Sequence, residues 1–358
     1  MLSSFSMDIN LFDYNLPSEL IAQYPPEKRG DSKLMILNRS TGQMQIRPFS
    51  ALPEYLVRGD ALVMNNTRVF KARLLGHRQS GAEVEVFLSK LLEQTIGDFK
   101  NRLRRWEGLA RPSRRLKENE EIIFDDRHRL CLRKNLGDGR WLIEFSSRTM
   151  EQNVIRKFGH VPLPQYIKRQ DENSDSKRYQ TVFARKDKAA AVAAPTAGLH
   201  FTRSMLDNLK QQGVKTVEVT LDVGPGTFKP VKVNDINRHV VDAEFAFLSA
   251  KVCKSLNSVK ANGKRVIVVG TTSMRTLESA SLASNKIEPF SKDVDLYIKP
   301  GYRFKFTDCL LTNFHLPKSS LLILVSAFAG RERILKAYQE AIRNKMRFYS
   351  YGDAMLIL

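Results

Sequence analysis

Short apolar runs alternate with turn signals over residues 8–64. Leu34–Leu37 predicts a strand, Thr41-Gly42 a hairpin turn and Gln43–Ile46 its partner strand. Arg58-Gly59-Asp60 turns into a further strand over Ala61–Met64. Between Val69 and Phe145 the alternation tightens into Glu83–Leu88, Glu121–Phe124, Arg129–Leu132 and Arg140–Phe145, separated by turn residues such as Gly137-Asp138-Gly139. Only Ser89–Gln94 reads there as a short helix. Several short strands at this spacing predict a small β-barrel or sandwich.

The texture then becomes mixed. Arg148–Phe158 predicts a helix that Gly159 ends, and Pro162 and Pro164 hold His160–Arg169 extended. Such an arm would display Tyr166, Lys168 and Arg169. Thr202 reads as the N-cap of a helix over Arg203–Gln212, stopped at Gly213, and the β-branched run Val214–Val223 predicts a strand. Ser249 caps a helix to Asn262. Arg265–Val269 predicts a buried strand that passes through Gly270-Thr271-Thr272-Ser273 into a helix over Met274–Ala283. Strand, glycine turn and helix in that order signal a parallel α/β sheet, and the helix N-terminus would offer free amides to an anion. Val294–Ile298, Arg303–Phe306 and Cys309–Leu311 predict strands. Gly330–Lys345 predicts an amphipathic helix with Ile334, Leu335, Tyr338, Ala341 and Ile342 inward. The aromatic end, Phe348–Met355, is expected to dock.

With 358 residues, 42% hydrophobic and 27% charged, the chain has room for two domains of ordinary globular composition. The start carries no signal-peptide pattern. The longest apolar stretch, Leu321–Ala329, falls well short of a membrane span of about 20 residues. A cytoplasmic protein without a membrane partner is expected. Cys131, Cys253 and Cys309 are scattered and read as inert thiols, and the six histidines are too dispersed to predict a metal.

Charge changes the picture more. A net charge of +20 draws a soluble protein towards polyanions, and nucleic acid is the commonest. Residues 100–117 hold eight cations against the single Glu107, with Trp106 among them. Inside a small β-domain this cluster suits either an RNA platform or a solvated loop. Three further constellations invite chemistry. Asn65-Asn66-Thr67-Arg68 follows a buried strand, suited to binding or to an Asx-turn. Arg275 and Glu278 lie three apart, on one helix face, as binding groups or as an ion pair. His315 shares its loop with Asn313 and Lys318.

Six motifs, taken together, resemble one family. They are Val63–Arg73 (VMNNTRVFKAR), His160–Arg169, Val192–Thr202 (VAAPTAGLHFT), Val269–Ser279 (VGTTSMRTLES), Leu310–Gly330 (LLTNFHLPKSSLLILVSAFAG) and Phe348–Met355. In order and along nearly the whole chain they are similar to the S-adenosylmethionine:tRNA ribosyltransferase-isomerases of queuosine biosynthesis. The resemblance implies an α/β fold: a mixed α/β main domain, residues 1–68 and 148–358, with a small β-barrel domain inserted at 69–147. It implies transfer and isomerisation of the ribosyl part of S-adenosylmethionine onto 7-aminomethyl-7-deazaguanine at the tRNA wobble position. Epoxyqueuosine-tRNA, adenine and methionine are the products. S-adenosylmethionine is then a consumed substrate and no cofactor is expected. The implied partners are S-adenosylmethionine and tRNA, with the anticodon arm as the part bound; a monomer is expected.

That chemistry needs a base for a C5′ proton made acidic by the neighbouring sulfonium, and a group that assists adenine departure. A histidine suits such proton steps. The catalytic candidates are His200, His315 and His239. Thr196, Gly198, Thr227, Glu244, Thr271, Thr272, Ser273, Arg275, Glu278 and Asn313 are the candidates for binding S-adenosylmethionine or the modified base, with Thr271–Ser273 and Arg275 on the methionine carboxylate. Arg104, Arg105, Arg111, Arg114, Arg115, Lys168 and Arg169 are the tRNA candidates. The chain departs from the family pattern at Asp222 and Asp242, where histidines are usual, and at Lys71, Ala190-Ala191, Pro225 and Lys229. Those two aspartates leave open a tRNA-binding homologue with reduced or lost turnover. A different S-adenosylmethionine-dependent transferase is the third alternative.

Overall fold

The structure is a computed structural model that describes residues 6–92, 103–224, 226, 231–281 and 285–358. Two sheets organise it. A nine-stranded mixed sheet runs in the order Phe290–Val294, Glu244–Leu248, Lys215–Leu221, Ala61–Asn65, Val266–Val269, Cys309–Asn313, Ala354–Ile357, Lys33–Leu37 and Met44–Pro48. Its centre, from Lys215–Leu221 to Cys309–Asn313, is parallel. The central strands are apolar on both faces because both are covered. Ala61, Val63, Val266 and Val268 face one core; Leu62, Met64, Ile267 and Val269 face the other. Buried parallel strands read as continuous apolar runs for that reason.

Six strands, Arg73–His77, Glu83–Leu92, Arg104–Arg111, Arg140–Phe145, His128–Gly137 and Glu120–Asp125, pair in that order. The pair His77 and Ile123 closes them into a barrel. Its interior holds Val84, Val86, Leu88, Trp106, Leu130, Trp141 and Ile143. Gly159–His160 adds to the Arg73–His77 strand.

Several predicted elements move. Ser89–Leu92 is strand, not helix, because the alternation of Glu83–Leu88 continues into pairing with Arg104–Arg111; residues 93 and 94 lie outside the described part. The helix predicted from Met274 begins four residues earlier and spans Gly270–Ala280. The strand predicted at Val294–Ile298 lies at Phe290–Val294. Arg303–Phe306 is a loop, because its amides bond the Glu278 carboxylate instead of a neighbouring strand. Ser320–Ala329 is a helix apolar on nearly every side, so no amphipathic period announced it. The docked end includes the strand Ala354–Ile357, inside the large sheet.

Candidate active site at the carboxyl edge of the sheet

Asn65, Leu221, Val269 and Asn313 end the four parallel strands at one edge of the sheet. Open α/β sheets bind ligands at that edge. Asp353 and Ser32 reach it from the other side, since Ala354 pairs with both Asn313 and Leu34. The 3₁₀ turn Thr196–His200 lies over it, with Thr196 half-buried and Ala197, Gly198, Leu199 and His200 buried. Gly198 is required by close approach: a Cβ there would sit 2.6 Å from Phe183 Cζ and 2.8 Å from Thr181 Cγ2.

One polar cluster joins two of the sequence motifs. His200 is buried, with Nδ1 2.7 Å from Ser32 Oγ and Nε2 3.2 Å from Asn313 Nδ2. The Asn313 amide also donates to the Tyr349 carbonyl at 3.1 Å, while its Oδ1 is buried without a partner among the described residues. His315 is also buried. Its Nε2 lies 2.8 Å from Thr312 Oγ1, its N–H donates to Tyr338 and its carbonyl accepts from Tyr14. Among the described residues Nδ1 of His315 has no hydrogen-bond partner. Burial drives both imidazoles down to about 3, aided at His200 by the Arg347 and Arg29 charges, so both are neutral at physiological pH.

A second cluster lies around the first turn of the Gly270–Ala280 helix, which no side chain caps. Thr271, Thr272 and Ser273 are buried in that turn; Ser273 Oγ donates to the Val269 carbonyl at 2.8 Å, and Thr272 Oγ1 is buried without a partner among the described residues. Arg275 and Glu244 form a buried ion pair. Arg275 also donates to the Leu296 carbonyl at 3.2 Å, and Glu244 accepts from the Gly224 amide at 2.8 Å. The predicted partner of Arg275 on its own helix, Glu278, turns elsewhere. It accepts from Tyr302 Oη at 3.1 Å and from the amides of Lys305 and Thr307, both at 2.9 Å. Glu278 therefore ties down the loop beneath the site.

Asp222 accepts a 2.7 Å hydrogen bond from Thr67 Oγ1, and burial pushes its carboxyl up. Asp242 lines a cleft with Gly226, His239, Glu244, Arg275 and Tyr297. A Cβ on Gly226 would fall on the Asp242 carboxylate. His239 is half-buried, edge-on to Tyr297 with ring centroids 5.2 Å apart, and burial lowers its basicity. Thr227 lies outside the described residues.

Asn65 and Asn66 are occupied by the neighbouring strand. Asn65 Oδ1 accepts the amides of Thr67 and Leu221, each at 3.1 Å, and Asn66 Oδ1 accepts from Thr220. Ser32 joined the site with no motif to announce it, and Tyr349 contributes only a carbonyl. Neither contribution is visible in a linear pattern.

The basic positions divide. Trp106 is not a stacking platform: it is in the barrel core, with Nε1 2.7 Å from Glu151 Oε1. Arg104 pairs with Glu151 and Arg105 with Glu144, both at 2.8 Å. Arg169 lies against Asp175 at 2.7 Å and over the Tyr24 ring, and Tyr166 points inward onto Ser350. Arg111, Arg114, Arg115 and Lys168 are exposed. No cluster of metal-ligating side chains occurs among the described residues.

Residues 9–357 match the profile described as "Queuosine biosynthesis protein". The chain belongs to that family. Within it, the chain is 45% identical to an S-adenosylmethionine:tRNA ribosyltransferase-isomerase of Desulfitobacterium hafniense, over 98% of this chain and 100% of that one. It is 46% identical, with the same coverage of both chains, to proteins of that name from Symbiobacterium thermophilum and a Sulfurihydrogenibium species. The crystal structure of S-adenosylmethionine tRNA ribosyltransferase from Thermotoga maritima aligns over 97% of this chain and 100% of that one, at 34% identity and a TM-score of 0.54. This queuosine family member shares the mixed α/β fold with a closed barrel that its sequence motifs implied.

Proposed function

We propose that this chain moves the ribosyl part of S-adenosylmethionine onto 7-aminomethyl-7-deazaguanine in tRNA. It isomerises that part to the epoxide of epoxyqueuosine, with adenine and methionine leaving. The reading is carried by the end-to-end match of residues 9–357 to the family. Two buried polar atoms at the carboxyl edge, Thr272 Oγ1 and Asn313 Oδ1, have no partner among the described residues and support placing the ligands there. A buried polar atom without a partner carries a desolvation cost of about 1–3 kcal/mol that a ligand can relieve. Asn313 Oδ1 only accepts, so it suits an amine or ribose hydroxyl.

His200 and His315 are the candidate bases. In this state both ring nitrogens of His200 are engaged within the protein, whereas His315 keeps Nδ1 for a substrate proton. His315 is the better fit to the C5′ proton, with Thr312 orienting its ring. The amides of Thr271–Ser273 face the methionine carboxylate at the helix N-terminus. Arg275 acts through the Glu244 pair that shapes the adjoining cleft, and His239 lines that cleft.

Exposed Arg111, Arg114, Arg115 and Lys168 are the tRNA contacts, on an anticodon arm reaching across a barrel inserted at 69–147; the barrel strands between Arg73 and Phe145 support that division. S-adenosylmethionine is a substrate and no cofactor is invoked. No helix among the described residues is long and apolar enough to cross a membrane. The proposed enzyme acts as a monomer in the cytoplasm, where tRNA is modified.

The test is incubation of S-adenosylmethionine with tRNA carrying 7-aminomethyl-7-deazaguanine. Adenine release is expected. Binding without adenine, or S-adenosylhomocysteine among the products, would overturn the reading. Single-turnover His315→Ala is expected to be slower by about 10²–10⁴-fold with tRNA still bound. If both His200→Ala and His315→Ala react at near wild-type rates, the base is elsewhere.

A further inference from the structure

A cleft beside His200 is lined by Arg29, Arg178, Gly30, Ser350 and Gly352. The two arginines clasp it. Arg29 donates to the carbonyls of Leu199 at 2.8 Å and Lys177 at 3.1 Å, while Arg178 donates to those of Glu27, at 2.9 Å, and Pro26. Each guanidinium thus reaches the other's segment, and Arg29 also ties down the turn that carries His200 through the Leu199 carbonyl. Neither has a carboxylate partner among the described residues. The charge of Arg178 bears on Arg29, and that of Arg347, placed at the Tyr24 carbonyl, bears on His200. Elsewhere Arg78 pairs with Glu120, Arg265 with Asp60 and Arg169 with Asp175, whereas Arg39 donates to the carbonyls of Phe328 and Asp308 and lies over the Phe328 ring. Arg29 and Arg178 thus line one cleft without an acid among the described residues, and Arg347 stands at Tyr24, next to the Pro25 and Pro26 of its wall; cations so placed suit an anion from outside.

We propose that Arg29, Arg178 and Arg347 form a phosphodiester site that seats the RNA backbone next to the nucleotide being modified. The inference rests on the reading of the chain as a tRNA-modifying enzyme. A guanidinium offers five donors in a planar fork, and those not used on backbone carbonyls match phosphate oxygens. Two arginines in the cleft and a third beside its wall exceed what one methionine carboxylate would balance, whereas a polynucleotide presents successive phosphates. The site would anchor the strand through Arg29 to the same turn, Thr196–His200, that covers the carboxyl edge.

The experiment measures tRNA binding against salt for the full chain and for Arg178→Gln, Arg347→Gln and Arg29→Lys, together with KM for S-adenosylmethionine. Because Arg29 and Arg178 also support backbone, Arg347→Gln and the charge-keeping Arg29→Lys guard against a variant that fails to fold. Loss of one phosphate contact lowers the slope of log K against log salt by about one. The expected result is that fall in Arg178→Gln and Arg347→Gln, with tRNA affinity about tenfold weaker at physiological salt and KM for S-adenosylmethionine within about twofold. Arg29→Lys should keep the wild-type slope. Wild-type slope and affinity in both Gln variants would overturn the proposal. So would a raised KM for S-adenosylmethionine with unchanged tRNA binding, which assigns the cations to the carboxylate. Failure of the enzyme reading is distinct: wild type would bind tRNA and release no adenine.

Discussion

The Asn313 amide and the His200 imidazole meet at 3.2 Å across the carboxyl edge of the sheet. An amide nitrogen can only donate, so Nε2 of His200 accepts. Its Nδ1 therefore carries the hydrogen and donates to Ser32 Oγ. Asn313 thus sets the tautomer of a residue more than a hundred positions away. Asn313→Asp replaces that donor with an acceptor beside the Tyr349 carbonyl. The expected outcome is a stability loss of about 1–3 kcal/mol by urea unfolding and adenine release at least tenfold slower. A shift of the His200 ring nitrogens by ¹⁵N NMR should accompany it. A variant with wild-type kinetics and spectrum would detach Asn313 from the site.

Stability should fall on mild acidification because of two histidines. Burial holds His200 and His315 at about 3, against an ordinary value of 6.5. Above 6.5 both are neutral whether the chain is folded or not, and they contribute no slope. Below it the unfolded chain takes up protons that the folded chain refuses, down to about 3. Stability is therefore lost as pH falls, by at most about 1.4 kcal/mol per pH unit for each. Urea midpoints at pH 7, 6 and 5 should drop more steeply for wild type than for His315→Asn. Equal slopes would mean that His315 is protonated in the fold.

The fold was legible where one physical pattern dominated. The apolar runs at Ala61–Asn65 and Val266–Val269 and the capped helices at Arg203 and Ala250 stand close to where the sequence puts them. Tertiary pairing decided the rest. Arg303–Phe306 looks like a strand until the Glu278 carboxylate takes its amides, and Ser320–Ala329 lacks a polar face to betray a helix. The site was legible as motifs but not as partners. His200, Asn313 and Glu244 were visible as residues, whereas Ser32 and the Glu244 pairing with Arg275 arise only when distant segments meet. Arginine clusters misled in the same way, since the sequence does not show that Glu144 and Glu151 lie beneath Arg105 and Arg104.

Gly198 should not tolerate a methyl group. Its missing Cβ is the space occupied by Phe183 and Thr181, at 2.6 and 2.8 Å. Phe183 packs edge-on against Phe201, so it cannot simply turn away. Gly198→Ala is expected to cost about 1–3 kcal/mol through overpacking. It should also displace the turn that carries His200, raising KM for S-adenosylmethionine or lowering kcat. Phe183→Leu in the same chain makes room and should restore part of both. A fully stable and active Gly198→Ala would show that the turn yields without consequence.

The Glu244–Arg275 pair offers a cleaner separation of charge from packing. Both side chains are buried, and each is tied to backbone as well, Glu244 to the Gly224 amide and Arg275 to the Leu296 carbonyl. A buried pair contributes little net stability when intact, because desolvation offsets attraction, yet removing one partner strands the other. Glu244→Gln should therefore destabilise the protein by about 3–5 kcal/mol, read as a lowered urea midpoint. Adding Arg275→Met removes the stranded charge while keeping an unbranched side chain in the same space, and should recover most of that loss. Activity should not return with it, since the double variant rebuilds the core beside the cleft of His239 and Asp242 without its polar wall. A double variant that regains both stability and turnover would show that the pair only fills space. Glu244→Gln as stable as wild type would mean that water reaches Arg275.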